Sequence, residues 1–144
     1  MTVLEVGHGL AVHVQTATHD LLYDTGPAWS REGDSGQRTV LPYLRAAGVG
    51  ALDLLMVSHD DIDHAGGAGS VLKELPVRAW SSSLPVGHSL FGVAVPHHPC
   101  EAGQGWEWDG VTFRVLHPAP DPLPGGPDNA RSCVLRLAGP HGGA

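Results

Sequence analysis

Basic residues are scarce in this chain. Only eight of 144 residues are Lys or Arg, against 15 Asp and Glu, and the net charge with histidine neutral is −7. Proteins that grip nucleic acid by its phosphates normally present basic patches. The chain's own charge therefore argues against tight DNA binding, although bound divalent ions would reverse the sign locally. Cysteine is nearly absent: Cys100 and Cys133 stand alone with no C-x-x-C pair, which excludes the usual thiolate zinc site. They can form one disulfide in an oxidising compartment or remain two buried thiols, and the sequence leaves both open. No apolar run approaches the roughly 18 residues of a membrane span. The opening MTVLEVGHG has neither the basic nor the long apolar segment of a signal peptide.

What remains is a chain with a core of its own. Hydrophobic residues are 42% and charged residues 16%, which excludes a disordered tail. Twenty Gly and 12 Pro favour sheet and loop over a helical bundle.

The chemistry is concentrated in residues 52–67, LDLLMVSHDDIDHAGG. The apolar run Leu54-Leu55-Met56-Val57 has the length of a strand buried on both faces. It breaks at Ser58 into His59, Asp60, Asp61, Asp63 and His64, followed by Gly66-Gly67 and a helical pattern. Strand, polar loop and helix in that order put the loop at the carboxyl edge of a sheet, where α/β folds bind ligands. His59, Asp61 and Asp63 alternate, so on an extended backbone they share one side. His64 directly follows Asp63, so the two diverge and can serve separate centres. Imidazole nitrogens with carboxylate oxygens suit zinc or manganese. Three carboxylates this close repel one another unless a cation lies between them.

The H-x-D-x-D-H-x-G-G text resembles the H-x-H-x-D-H signature of the metallo-β-lactamase fold, with Asp61 where most members carry a second histidine. This variant is similar to the metallo-β-lactamase-like domain of the ComEC family of competence DNA-uptake proteins. Further stretches carry the same resemblance: LLYDTG at residues 21–26, VLPYLRAAG at 40–48, WEWDGVTFRVLHP at 106–118, and N-x-x-S at Asn129 and Ser132. The resemblance implies an α/β (α+β) fold, an αββα sandwich of which residues 1–144 would form a single domain lacking its carboxy-terminal half. A strand ending T-G-D and a later H-H-G-S segment, expected in the family, do not occur in the sequence.

The resemblance also implies a site with two divalent ions. His59 and Asp61 would hold one, Asp63 and His64 the other, with Asp63 orienting the attacking water. Asp61 in place of histidine hardens the site and favours manganese or mixed occupancy over strict zinc. Asp24 would lie behind the ligands and orient them. Asn129 and Ser132 would face substrate, with a turn-forming role equally open for Asn129. His8, in a G-H-G turn where the family has G-Q-G, would approach the site or stay exposed.

Other stretches read more simply. Residues 2–6, 10–16 and 21–24 form strands, the second alternating Leu10, Val12 and Val14 with polar or small residues. Residues 27–37, PAWSREGDSGQ, form a surface loop. Residues 39–47 form a helix with Val40, Leu44 and Ala47 on one stripe, ended by Gly48. Residues 65–75 form a helix stopped by Pro76, and 77–80 a short strand. Residues 106–116 form a hairpin on an Asp-Gly turn, with Trp106 and Trp108 on one shared face as core or sheet surface and not as a base-stacking platform. Residues 133–137 form the final strand, and His97-His98 are surface histidines.

The function expected is a metal-dependent phosphodiesterase or nuclease acting on single-stranded DNA during natural competence. It would be an extracytoplasmic, soluble part of an inner-membrane protein whose channel portion is its partner. Two other readings stay open: a thioesterase or lactamase on the same scaffold, and an incomplete module that binds metal or a partner without turnover.

Overall fold

The structure, a computed structural model, describes residues 1–30, 33–120, 131–140 and 142–144. In chain order it runs β1 (Thr2–Val3), β2 (Val12–Gln15), β3 (Asp20–Tyr23), β4 (Ala28–Ser30) and β5 (Gly33–Asp34). A π-helical turn (Gly36–Val40) continues into α1 (Leu41–Ala46), and then come β6 (Leu54–Val57), α2 (Ile62–Ala65), α3 (Ala68–Glu74) and β7 (Trp80–Ser82). After a 3-10 turn (Ser89–Gly92) follow β8 (His97–Pro99), β9 (Gly105–Trp108), β10 (Val111–His117), β11 (Val134–Gly139) and β12 (Gly142–Gly143).

Among the described residues, β1-β2-β3-β6-β7-β8 form one mixed sheet and β12-β11-β10-β9 an antiparallel one. β3, β6, β7 and β8 run parallel, as strand–helix–strand connections require. The expected strand at Leu54–Val57 is present, and its alternation divides the core in two. Leu55 and Val57 pack with Val40, Leu41, Leu44 and Val71 of the helical layer. Met56 points the other way, to Val115, Cys100 and Cys133 of the second sheet, where Val14, Leu21 and Phe113 complete the inter-sheet core. The layers are therefore helix, sheet, sheet. The far face of the second sheet carries Thr112, Arg114 and Arg136 with Leu116 and Val134, the last two 52% and 42% exposed.

The Asp-Gly hairpin forms as read: Asp109 and Gly110 take φ of 53° and 84°, the two left-handed residues of a primed turn. Asp109 then clasps the two sheets together at this end. Its carboxylate accepts from Thr16 Oγ1 at 2.6 Å and Thr18 N at 2.8 Å. The His19 ring stacks on Trp108 at 4.7 Å. The Thr16 hydrogen bond, with that from the Thr18 amide, holds the Asp109 carboxyl well below the usual range.

Several sequence expectations are corrected. Among the described residues of 27–37 the chain is not a plain loop: β4 and β5 pair, and although Trp29 stays 55% exposed, Ser35 is fully buried, donating to the carbonyls of Thr25 and Pro27. Its turn-rich composition serves a tight ribbon folded against the core. Val40 and Leu44 of the expected stripe are buried, joined by Leu41, while Ala47 is exposed because the helix ends at Ala46 and Ala47 is its C-cap. The strand expected at 77–80 lies at Trp80–Ser82, with only a bridge from Leu52 to Val77. The final strands are Val134–Gly139 and Gly142–Gly143. The first two strands are shorter than read, and the third keeps its four residues but starts one earlier, at Asp20.

His97 is not a free surface histidine. Its Nε2 meets Ser82 Oγ at 2.8 Å, and its ring packs on Trp80 and Phe91 at 4.3 and 4.6 Å. Burial, with the neighbouring His98, lowers its pKa from the ordinary 6.5. A lowered folded-state pKa means that the unfolded chain binds more protons between the two values. His97 thus stabilises the fold fully above about 6.5, and that contribution is lost as the pH falls through the folded value. Melting at pH 7.5 and 5.5 is expected to show a smaller acid-induced drop in Tm for His97→Gln than for the wild type. Equal drops would assign the pH dependence to other groups.

Candidate metal centre

The loop after β6 does not stay extended. His59 to Asp61 leave the strand, and Asp61, with φ −62° and ψ 137°, caps α2. Asp63 and His64 therefore project from a helical turn. The alternation argument holds for His59 and Asp61 but fails for Asp63, and Asp63 and His64, expected to diverge, approach to 3.8 Å across the helical turn. The helix expected from residue 65 instead begins at Ile62, breaks at Gly66-Gly67 and resumes as α3. That break has a packing cause. A Cβ on Gly66 would meet the Ala28 amide nitrogen, and one on Gly67 the Thr25 carbonyl and Gly36 nitrogen, so only glycine lets these backbones approach.

Asp24 is the pivot of the site. It is fully buried and held at φ 60°, a left-handed conformation that Asp tolerates better than most residues. Its Oδ1 accepts from the Ser58 amide at 2.7 Å. Oδ2 accepts from Ser58 Oγ at 2.5 Å and from His64 Nδ1 at 2.8 Å. Ser58 Oγ, having given its proton to Asp24, accepts from His59 Nδ1 at 2.9 Å. One carboxylate thereby fixes both imidazoles as Nδ1–H tautomers and leaves each Nε2 lone pair free. The Asp24 hydrogen bond raises the His64 pKa, with added pull from the charges of Asp24, Asp63 and Asp61. Burial and the Asp24 charge push neighbouring Tyr23 up to about 12, so it keeps its proton and donates to the Cys133 carbonyl at 2.5 Å.

Each free Nε2 faces a carboxylate. His59 Nε2 lies 3.3 Å from Asp61 Oδ2, and His64 Nε2 lies 3.8 Å from Asp63 Oδ2. The two rings sit 4.1 Å apart. Lone pair against carboxylate is repulsive, and either a proton on Nε2, which the raised His64 pKa favours, or a metal ion between the two relieves it. Two ligand atoms on one tetrahedral zinc ion stand about 3.4 Å apart, so the His59–Asp61 spacing suits an ion and the His64–Asp63 pair is slightly wider. The donors fit two ions, each held by one imidazole and one carboxylate. Among the described residues no three such groups close on one point, so each pair leaves coordination positions open.

The remaining candidates divide. His8 is 98% exposed, with Nε2 3.9 Å from Asp63 Oδ2, at the rim. Ser132 precedes Cys133, whose amide donates to the Ser58 carbonyl at 2.8 Å, so this segment runs beside the loop. Asn129 lies outside the described residues. Three contributors had no signal in spacing. Ser58 is the relay described above. Thr25 is fully buried, and its N and Oγ1 donate to the His64 carbonyl at 2.8 and 2.9 Å, anchoring α2. His88 Nε2 meets Asp60 Oδ1 at 2.7 Å, which draws the third carboxylate away from the ligand pairs.

Two layered sheets with helices outside one of them, and two His–Asp pairs at the end of a parallel strand, match the sandwich that the sequence leads one to expect. The profile of the metallo-beta-lactamase superfamily (Lactamase_B) matches residues 4–131. The chain belongs to this superfamily, whose members are generally hydrolases that bind divalent metals. Among curated proteins it is similar to competence protein ComA of Neisseria gonorrhoeae, 40% identical over 137 residues, covering 95% of this chain and 18% of that protein. Recombination protein 2 of Haemophilus influenzae is 36% identical over 136 residues, covering 92% of this chain and 16% of that protein. The chain thus spans about a sixth of the length of these relatives. A metallo-beta-lactamase of Cronobacter sakazakii with a HARLDQ motif superposes with TM-score 0.61 at 18% identity, covering 92% of this chain and 50% of that one. The metallo-beta-lactamase fold protein YhfI of Bacillus subtilis gives 0.60 at 13% identity, covering 94% and 58%. These likenesses establish the fold, a partial metallo-beta-lactamase sandwich.

Proposed function

We propose that this chain carries the first ligand set of a metal-dependent phosphodiesterase that acts on a DNA strand during natural competence. The observation that supports it most is the pairing of His59 Nε2 with Asp61 and of His64 Nε2 with Asp63, the two imidazoles being oriented by Asp24 and Ser58. Zinc or manganese bound there would supply Lewis-acid polarisation of a phosphoryl oxygen and a water of lowered pKa. The protein's part is orientation. Asp24 and Ser58 hold the imidazoles in one tautomer, Thr25 fixes the helical turn, and Asp63 is placed to orient a water for attack. His8, Asn129 and Ser132 are the proposed substrate contacts. The competence setting rests on the names of the relatives.

No helix among the described residues is long and apolar enough to cross a membrane. We place this domain outside the cytoplasm, attached to a membrane channel portion of a longer protein, because the Cys100–Cys133 disulfide belongs to an oxidising compartment. A second reading, a metal-binding module without turnover, is favoured by the absence of a third convergent ligand among the described residues.

Elemental analysis after loading with zinc or manganese tests the proposal. Two ions per chain, falling to one or none in Asp63→Ala, is the expected result. One ion or none in the wild type would overturn a binuclear site built from these four residues alone.

A further inference from the structure

Beside the metal loop, at the ends of β7 and β8, lies a cavity of about 350 Å³ whose lining includes Ser82, Ser83, His97, Glu101, Pro118 and Arg131. Two bonds tie its wall to the loop: Ser83 Oγ donates to the Ser58 carbonyl at 3.2 Å, and the Cys133 amide donates to the same oxygen at 2.8 Å. The residue after Ser58 is His59. The cavity and the ligand pairs therefore share one stretch of backbone. Cys100, bonded to Cys133, also lines it and anchors the strand that leads from Arg131.

Arg131 is the unusual member. Its Nε is buried and has no hydrogen-bond partner among the described residues. Glu101 lines the same cavity yet makes no ion pair with it, since the one arginine–carboxylate pair among the described residues joins Arg78 to Asp53. A buried guanidinium N–H without an acceptor is costly, and native proteins seldom leave one unless something external supplies the acceptor. The guanidinium fork is matched to two oxygens of a phosphate. In a chain with only eight Lys and Arg, one whose Nε has no partner among the described residues, in a recess beside the metal loop, is a local exception to the acidic surface.

We propose that this cavity is a phosphate subsite in which Arg131 binds a backbone phosphate of a nucleic-acid strand flanking the bond at the metal loop. Identifying the ligand as a strand rests on the phosphodiesterase reading; the binding of phosphate does not. Arg131 in this role would set register along the strand and would supply the affinity that the net charge withholds.

The test uses metal-free protein with ¹⁵N-labelled arginine side chains, titrated separately with inorganic phosphate and with an oligothymidylate of three nucleotides. Both ligands are expected to shift the Arg131 Nε–H signal, the oligothymidylate at lower concentration. Arg131→Gln should weaken oligothymidylate binding about tenfold, the worth of one charge-assisted hydrogen-bonded contact. Glu101→Gln, which removes a carboxylate from the lining, should tighten it about threefold. An unmoved Arg131 signal, or equal affinity in Arg131→Gln, overturns the subsite. Phosphate binding without oligothymidylate binding overturns the strand assignment. Should Arg131→Gln lose its native amide spectrum, the wild-type shift and the Glu101→Gln change decide. Because no metal is added, failure of the two-ion reading leaves this result intact, and the reverse also holds.

Discussion

Asp24→Ala is expected to lower the unfolding free energy by about 4 kcal/mol and the metal affinity by about 10- to 100-fold. Asp24 is fully buried, and its carboxylate accepts from the Ser58 amide, Ser58 Oγ and His64 Nδ1. Alanine would leave the Ser58 N–H buried without its acceptor, and each such orphan costs about 1–3 kcal/mol. It would also free both imidazoles to turn, since His59 is oriented through Ser58 and His64 directly. A second cost comes from the backbone, because φ at Asp24 is 60° and alanine tolerates that region poorly. Asp24→Asn separates the two contributions. It accepts the left-handed conformation and keeps one oxygen, so it should recover part of the stability while the metal affinity stays low. Chemical denaturation with zinc or manganese titration of both variants is the measurement. Stability close to wild type in Asp24→Ala would mean that the site orients itself by other contacts.

Loss of the Cys100–Cys133 disulfide is expected to cost about 3.5 kcal/mol and to lower Tm by about 10 °C. The bond closes a loop across a sequence separation of 33 residues, with Cα atoms 6.0 Å apart. Its main effect in the chain-entropy account is to restrict the unfolded chain. The native position adds to this. Both cysteines are buried between the sheets with Met56 and Val115, and Cys133 also meets the metal loop through its amide. Thermal melts of the Cys100→Ala/Cys133→Ala double variant, beside wild type with and without reductant, check it. The variant and the reduced wild type should agree, both well below the oxidised protein. Insensitivity of the wild type to reductant would contradict the bond and remove the physical support for an oxidising compartment.

Much of the architecture was legible because it is local. The run Leu54-Leu55-Met56-Val57 predicts a strand buried on both faces from its length alone, and the structure places Met56 on one side and Leu55 and Val57 on the other. The Asp109-Gly110 turn follows from the two residue types that adopt positive φ at least cost. That Trp106 and Trp108 share one face follows from a period of two, and the structure shows that this face packs with Phe113. Where the reading failed, nonlocal packing had overridden local preference. Residues 27–37 look like a solvated loop by composition, yet Ser35 is buried because its hydroxyl meets carbonyls of the D-T-G turn. Asp63 was read on an extended backbone, yet Ile62 to Ala65 coil into α2, whose His64 carbonyl Thr25 holds from the segment between β3 and β4.

The sequence by itself determined the family, the buried central strand, the hairpin and the four side chains His59, Asp61, Asp63 and His64 as a cluster. Those are consequences of residue type and short spacing, and both are properties of the chain before it folds. Tertiary structure decided which atoms those side chains present. Asp24 lies 34 residues from Ser58 and 40 from His64, and only the parallel pairing of β3 with β6 brings its carboxylate beneath them. Tertiary structure also joined Cys100 to Cys133, drew Asp60 to His88 and buried Arg131 Nε with no partner among the described residues. Tautomer, lone-pair direction and the pairing of distant groups depend on hydrogen-bond partners remote in sequence, and no local pattern encodes them.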